Sequence, residues 1–133
     1  MNEFEAAMGL CVLDDIEDIK QKRKIALEMY RKELQGLVKF QEQNQDSSQN
    51  YSYLAVVFKS EAELLKVLNA LNDQDIFPRR YFYPSLDTLP YIEPKQVMPI
   101  SRDISKKILC LPLYAELSES EQSLIINIIR SNL

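Results

Sequence analysis

Apolar residues recur at three- and four-residue steps over residues 4–37 of this chain: Phe4, Met8, Val12, Ile16, Ile19, Ala26, Tyr30, Leu34 and Leu37. That spacing lines one face of an α-helix, so it predicts a single long helix whose stripe must lie against other elements. Asn2 followed by Glu5 offers a capping-box start, and Gly36 supplies a residue that tolerates the left-handed conformation at the far end. The opening turns differ from the rest, because Ala6, Ala7, Met8, Gly9, Leu10, Cys11, Val12 and Leu13 are apolar almost all round. A helix end wrapped in this way calls for neighbours on every side, more than a chain of 133 residues readily supplies.

Beyond this helix the chain reads as alternating strands and helices. Residues 41–50 are polar, aperiodic and free of core-forming side chains, which predicts a mobile surface loop. Residues 53–58 have the β-branched and aromatic content of a buried strand. Ser60 then caps a helix with Leu64, Leu65, Val67, Leu68 and Leu71 as its inner stripe. Residues 76–83 read as an edge strand, since Pro78 cannot donate a ladder hydrogen bond. The proline-spaced stretch 84–99 reads as irregular, 101–108 as a short helix and 109–114 as a strand. Ser118 with Glu121 opens a final helix whose Leu124, Ile125, Ile128 and Ile129 face inward. The order predicts one α+β domain over residues 1–133, a long N-terminal helix and a small, mainly antiparallel sheet covered by helices.

Composition excludes more than it assigns. Sixteen basic against twenty acidic residues leave a net charge of −4. The one basic run, from Lys20 to Lys24, has acidic neighbours on both sides and reads as a solvated helix face, so no nucleic-acid partner is expected. No apolar run is long enough to span a bilayer, and acidic Glu3 and Glu5 stand where a secretory signal would be basic, so neither membrane nor export is indicated. Cys11 and Cys110 read as two buried thiols of a reducing compartment, the cytoplasm. The chain has no histidine and only two glycines. The commonest general base and metal ligand are therefore missing, and neither a P-loop nor a dinucleotide fingerprint can be built. No metal site and no catalytic residue are assigned.

The site-like chemistry lies in Pro78-Arg79-Arg80-Tyr81-Phe82-Tyr83-Pro84. Arginine forks match phosphates and carboxylates, and tyrosines offer a flat apolar face with a polar tip. Arg79, Arg80, Tyr81 and Tyr83 are thus the candidate binders of an anionic, ring-containing ligand. The competing reading is an edge strand with solvated arginines and aromatics filling a small core. As a binding residue and not a structural one, Arg80 is expected to be replaceable by Ala with stability nearly unchanged.

Residues 1–10 (MNEFEAAMGL), 79–84 (RRYFYP) and 105–113 (SKKILCLPL), taken in order, resemble the C-terminal part of the DegT/DnrJ/EryC1/StrS family of sugar-nucleotide aminotransferases. The resemblance implies the small C-terminal domain of the aspartate-aminotransferase fold. It also implies a dimeric enzyme that uses pyridoxal phosphate to move an amino group onto a keto-sugar carried by a nucleotide. It places the large cofactor-binding domain before Met1, so no cofactor is expected to be held by this chain and the isolated chain is expected to be inactive. Met1 resembles the methionine that follows the asparagine near the cofactor phosphate in the family. The family pattern R-x-H-Y-x-P maps onto Arg79, Tyr81, Phe82 and Pro84, with Tyr81 where many members have histidine. The fuller string resembles a subgroup acting on dTDP-linked amino-deoxysugars of polysaccharide or O-antigen biosynthesis. Two alternatives stay open. One is a free-standing α+β module that forms a homodimer through Met8, Leu10, Cys11 and Leu13. The other is a sensor that grips a phosphorylated sugar with Arg79, Arg80 and Tyr83.

Overall fold

The computed structural model describes residues 2–44, 46–93 and 96–133. Met1 and the likeness drawn for it lie outside them. The first helical stretch is two helices, α1 (Glu3–Asp14) and α2 (Ile16–Glu33). The break falls at Asp15, with φ −98° and ψ 0°, where adjacent aspartates favour local hydrogen bonding over helix continuation. The capping box at the start is present in full: Asn2 and Glu5 each accept the other's backbone N–H at 2.9 Å. Past the end of α2, Gly36 takes φ +79°.

The predicted stripe is buried only in its second half. Ala26, Leu27, Tyr30 and Leu34 enter the core, whereas Phe4, Met8 and Val12 are 84%, 70% and 54% exposed. No residue of α1 is buried. The helical period is correct throughout, but the core beneath it spans only the C-terminal turns. Cys11, expected inside, is likewise exposed, and Cys110 is half-buried; both thiols are free.

The sheet has three antiparallel strands in the order β1 (Lys39–Phe40), β2 (Leu54–Val57) and β3 (Ile108–Leu111). Its register sets Leu54 opposite Leu111 and Val56 opposite Leu109, and all four side chains are buried. Against them pack α2, α3 (Glu61–Asn72) through Leu64, Val67 and Leu71, and α5 (Glu119–Ser131) through Ile125, Ile126 and Ile129. Ser60 and Ser118 cap α3 and α5, as their sequences predict. Leu65 and Leu124 fall outside the inner stripes, each about two-fifths exposed, at 39% and 43%. Strand β1 is too short to announce itself and was not predicted.

The expected edge strand at 76–83 does not form. Asp75, at φ +57°, turns the chain back so that the Ile76 N–H bonds to the Leu71 carbonyl, and Pro78 has no N–H to offer. What remains of the pairing is one antiparallel bridge, Arg79 to Cys110 on the free edge of β3. Beyond it, a 3-10 turn (Leu86–Thr88) leads to α4 (Pro99–Lys107), which starts with proline at its first position. The lysines of the basic run on α2 face solvent as predicted, with Lys20, Lys22 and Lys24 paired to Glu17, Asp18 and Glu28, whereas Nε of Arg23 is buried. Among the described residues no helix is long and apolar enough to cross a membrane.

Candidate functional site

The bridge to β3 is what positions the candidate segment. The Arg79 N–H donates to the Cys110 carbonyl at 3.3 Å, and the Cys110 N–H donates back to the Arg79 carbonyl at 2.8 Å. With its backbone pinned to the sheet, Arg79 projects an exposed guanidinium that donates to the Tyr81 hydroxyl and lies 5.7 Å from the centre of that ring. The Tyr81 hydroxyl, by accepting this bond, raises the Arg79 pKa further, so the charge is permanent. Tyr53 meets the Tyr81 ring edge-on, with centroids 5.8 Å apart and planes at 89°. The Phe82 ring follows at 5.4 Å from Tyr81.

Arg79, Tyr81 and Tyr53 border a cavity of about 260 Å3, together with Ser52, Pro78 and Leu113. Cys110 also borders it, but burial pushes its thiol pKa up, which keeps sulfur in its less nucleophilic form. No lysine, carboxylate or histidine borders this cavity among the described residues. The arrangement therefore offers one permanent cation beside two phenol rings. It can bind and orient an anion with a flat or apolar portion, and it carries no group suited to proton transfer.

Arg80 and Tyr83 form a separate group. The Arg80 guanidinium lies 3.7 Å from the centre of the Tyr83 ring, donates to Glu61 at 3.1 Å and donates to the Lys106 carbonyl at 3.0 Å. Its side chain is 16% exposed. Of the four candidates, the fold brings Arg79 and Tyr81 together at one cavity and joins α3 to α4 through Arg80, against the expectation of a solvated arginine. Tyr53 and Ser52 were missed. They precede β2 at the end where Leu54 pairs with Leu111, so strand register, had it been known, would have placed them beside the end of β3.

The remaining landmark is Asp87, which ties the irregular segment to α4. It accepts from Ser85 at 2.5 Å, from the Met98 N–H at 3.0 Å and from Arg102 Nε at 2.7 Å. The Ser85 hydroxyl first, then the Met98 amide and the Arg102 guanidinium, hold its carboxyl pKa down to about 2.

The model of the DegT/DnrJ/EryC1/StrS aminotransferase family matches residues 1–130, and the chain belongs to that family. It is 33% identical to a dTDP-4-amino-4,6-dideoxy-D-glucose transaminase of Shigella dysenteriae over 98% of this chain and 37% of that protein. It is 31% identical to the transaminase of the same name from Escherichia coli, over 90% of this chain and 34% of that one. The chain thus spans little more than a third of the length of these relatives. Its fold is that of aminotransferases of known structure. It superposes on TlmJ of Streptoalloteichus hindustanus with TM-score 0.86, 18% identity, and coverage of 96% of this chain and 35% of that one. On a DegT DnrJ EryC1 StrS aminotransferase of Brucella abortus the score is 0.78, with 23% identity over 92% of this chain and 33% of the other.

Proposed function

We propose that this chain is the small C-terminal domain of a pyridoxal-phosphate-dependent sugar-nucleotide aminotransferase, forming the wall that meets the nucleotide sugar. The observation that carries this reading is the Arg79 guanidinium bonded to Tyr81 beside the edge-on ring of Tyr53, at the mouth of a cavity. A fixed positive fork next to two phenol rings suits the diphosphate and the ring of a nucleotide sugar.

The two relatives named as dTDP-4-amino-4,6-dideoxy-D-glucose transaminases favour a dTDP-linked keto-deoxysugar as the ligand, in polysaccharide or O-antigen synthesis. A GDP-perosamine synthase of Escherichia coli O157:H7, 32% identical over 91% of this chain, makes a GDP-linked sugar the comparison ligand. The cytoplasm, a reducing compartment, fits the two free thiols.

The described residues of this chain do not fit the coenzyme. Pyridoxal phosphate is held by a lysine beside its ring and by a charge partner at its ring nitrogen. Here Lys59, Lys66 and Lys106 are exposed, Lys107 is paired with Asp103, and none of them borders the Arg79 cavity. Amino transfer is accordingly assigned to residues outside these 133, and none to the chain by itself.

Titration of dTDP-glucose and GDP-mannose into the protein and its Arg79→Ala variant tests the reading. Saturable binding of the dTDP-sugar that Arg79→Ala abolishes is expected. Binding indifferent to Arg79, or preference for the GDP-sugar, would refute the assigned site or the assigned nucleotide respectively.

A second reading, a non-catalytic module that dimerises through α1, is favoured by one observation: Met8, Leu10 and Leu13 are 70%, 64% and 62% exposed on a helix with nothing buried.

A further inference from the structure

Further along the same segment lies a second cavity, of about 270 Å3, between the 3-10 turn and α4. Tyr83, Ser85, Thr88, Arg102, Ser105 and Lys106 border it, and it shares no residue with the Arg79 cavity. Arg102 and Lys106 are four residues apart on α4, which puts both on one face a turn apart.

Among the described residues, the charges around this cavity are accounted for, except one. Glu61 answers Arg80, Asp87 answers Arg102, and Asp103 answers Lys107. Lys106 has no acidic partner among the described residues. Asp87 occupies only the Nε side of Arg102, and its own side chain is just 7% exposed, so the negative charge is turned inward. Among the described residues nothing takes the donors of the two terminal amino groups of Arg102, on a side chain 42% exposed. The bordering hydroxyls have spent theirs: Ser85 donates to Asp87, Thr88 to the Ser85 carbonyl, and Ser105 to the Arg102 carbonyl.

What is left over is a lysine point charge, half an arginine fork and the Tyr83 hydroxyl around a space large enough for a phosphoryl group and part of its carrier. Arginine supplies the planar donors and lysine the compact charge that phosphate oxygens take most strongly. We propose that this cavity is a phosphate-binding site, held by Lys106 and Arg102. The proposal is independent of the role assigned to Arg79.

Amide chemical-shift titrations with inorganic phosphate and with glucose 1-phosphate test it. Saturable shifts at Tyr83, Thr88 and Lys106 are expected, weakened at least fivefold in Lys106→Gln and unchanged in Arg79→Ala. Among the described residues Lys106 has no side-chain partner to lose, so its variant keeps the fold, whereas Arg102→Gln would release Asp87 as well. Tighter binding of glucose 1-phosphate identifies a phosphorylated small molecule as the ligand, and equal binding identifies the free ion. Shifts that do not saturate, or that persist unaltered in Lys106→Gln, overturn the site.

Discussion

Arg80 covers the ring of Tyr83, its guanidinium carbon 3.7 Å from the ring centre, and reaches from there to Glu61 of α3 and the Lys106 carbonyl of α4. One side chain thus joins two helices through a cation–π contact and two hydrogen bonds in a partly desolvated setting. Such bonds to a charged donor contribute about 1.5–3 kcal/mol when the partners would otherwise be stranded. Arg80→Ala should therefore destabilise the domain by about 2 kcal/mol in denaturant unfolding. A change within about 0.5 kcal/mol, the usual range for surface substitutions, would return Arg80 to the solvated role that its sequence suggested.

Arg79 should behave in the opposite way. Its backbone carries the bridge to Cys110, while its side chain is exposed and, among the described residues, hydrogen-bonded to Tyr81 alone. Arg79→Ala keeps the bridge, so the unfolding midpoint should stay put while nucleotide-sugar binding disappears. Circular dichroism and calorimetric titration on the same sample check both halves.

Asp87 supplies a pH prediction. Its folded-state pKa is depressed to about 2, below the ordinary value of about 4 in an unfolded chain. Its stabilising contribution is then fully present above about pH 4 and lost as pH falls through about 2. The stability gap between the protein and Asp87→Asn should accordingly be constant near neutrality and close between about pH 4 and 2. A gap that stays the same down to pH 2 would show that the clasp does not depend on the carboxylate.

In the core, Leu111 is 4% exposed and pairs across the sheet with Leu54, so Leu111→Ala should cost about 2–5 kcal/mol. Ile128 is only half-buried, because Ile125, Ile126 and Ile129 take the inner face of α5. Ile128→Ala should cost clearly less, on the order of 1 kcal/mol. Equal losses at the two positions would mean that α5 is rotated from the orientation described.

Helix α1 has its own test in sedimentation. A dimer that persists on dilution and that Met8→Glu converts to monomer would favour the self-associating module. A monomer, or aggregation without fixed stoichiometry, fits an apolar helix whose partner is not in this chain.

Local chemistry proved legible wherever it was self-contained. The Asn2–Glu5 and Ser118–Glu121 boxes, the Ser60 cap, the strand at Leu54–Val57 and the helical period of α2 all follow from nearest neighbours. Failures came where a distant partner decides. Residues 76–83 have strand-like composition, yet Pro78 and the turn at Asp75 leave a single bridge. The stripe of α1 has the right spacing, but no core lies beneath it. Arg79 and Arg80 are adjacent and chemically alike, and only the fold sends one toward Tyr81 and the other toward Glu61. Ser52 and Tyr53 join the site through strand register, a long-range relation that no local pattern encodes.

On the proposed reading these residues shape a binding wall and do not hold the coenzyme. The most direct measurement is to mix the purified protein with pyridoxal phosphate, record the absorption spectrum, and map lysines after borohydride reduction. No Schiff-base band and no stoichiometric adduct at any one lysine are expected. A single lysine reduced in one-to-one yield, with amino transfer to a keto-sugar nucleotide, would contradict the claim.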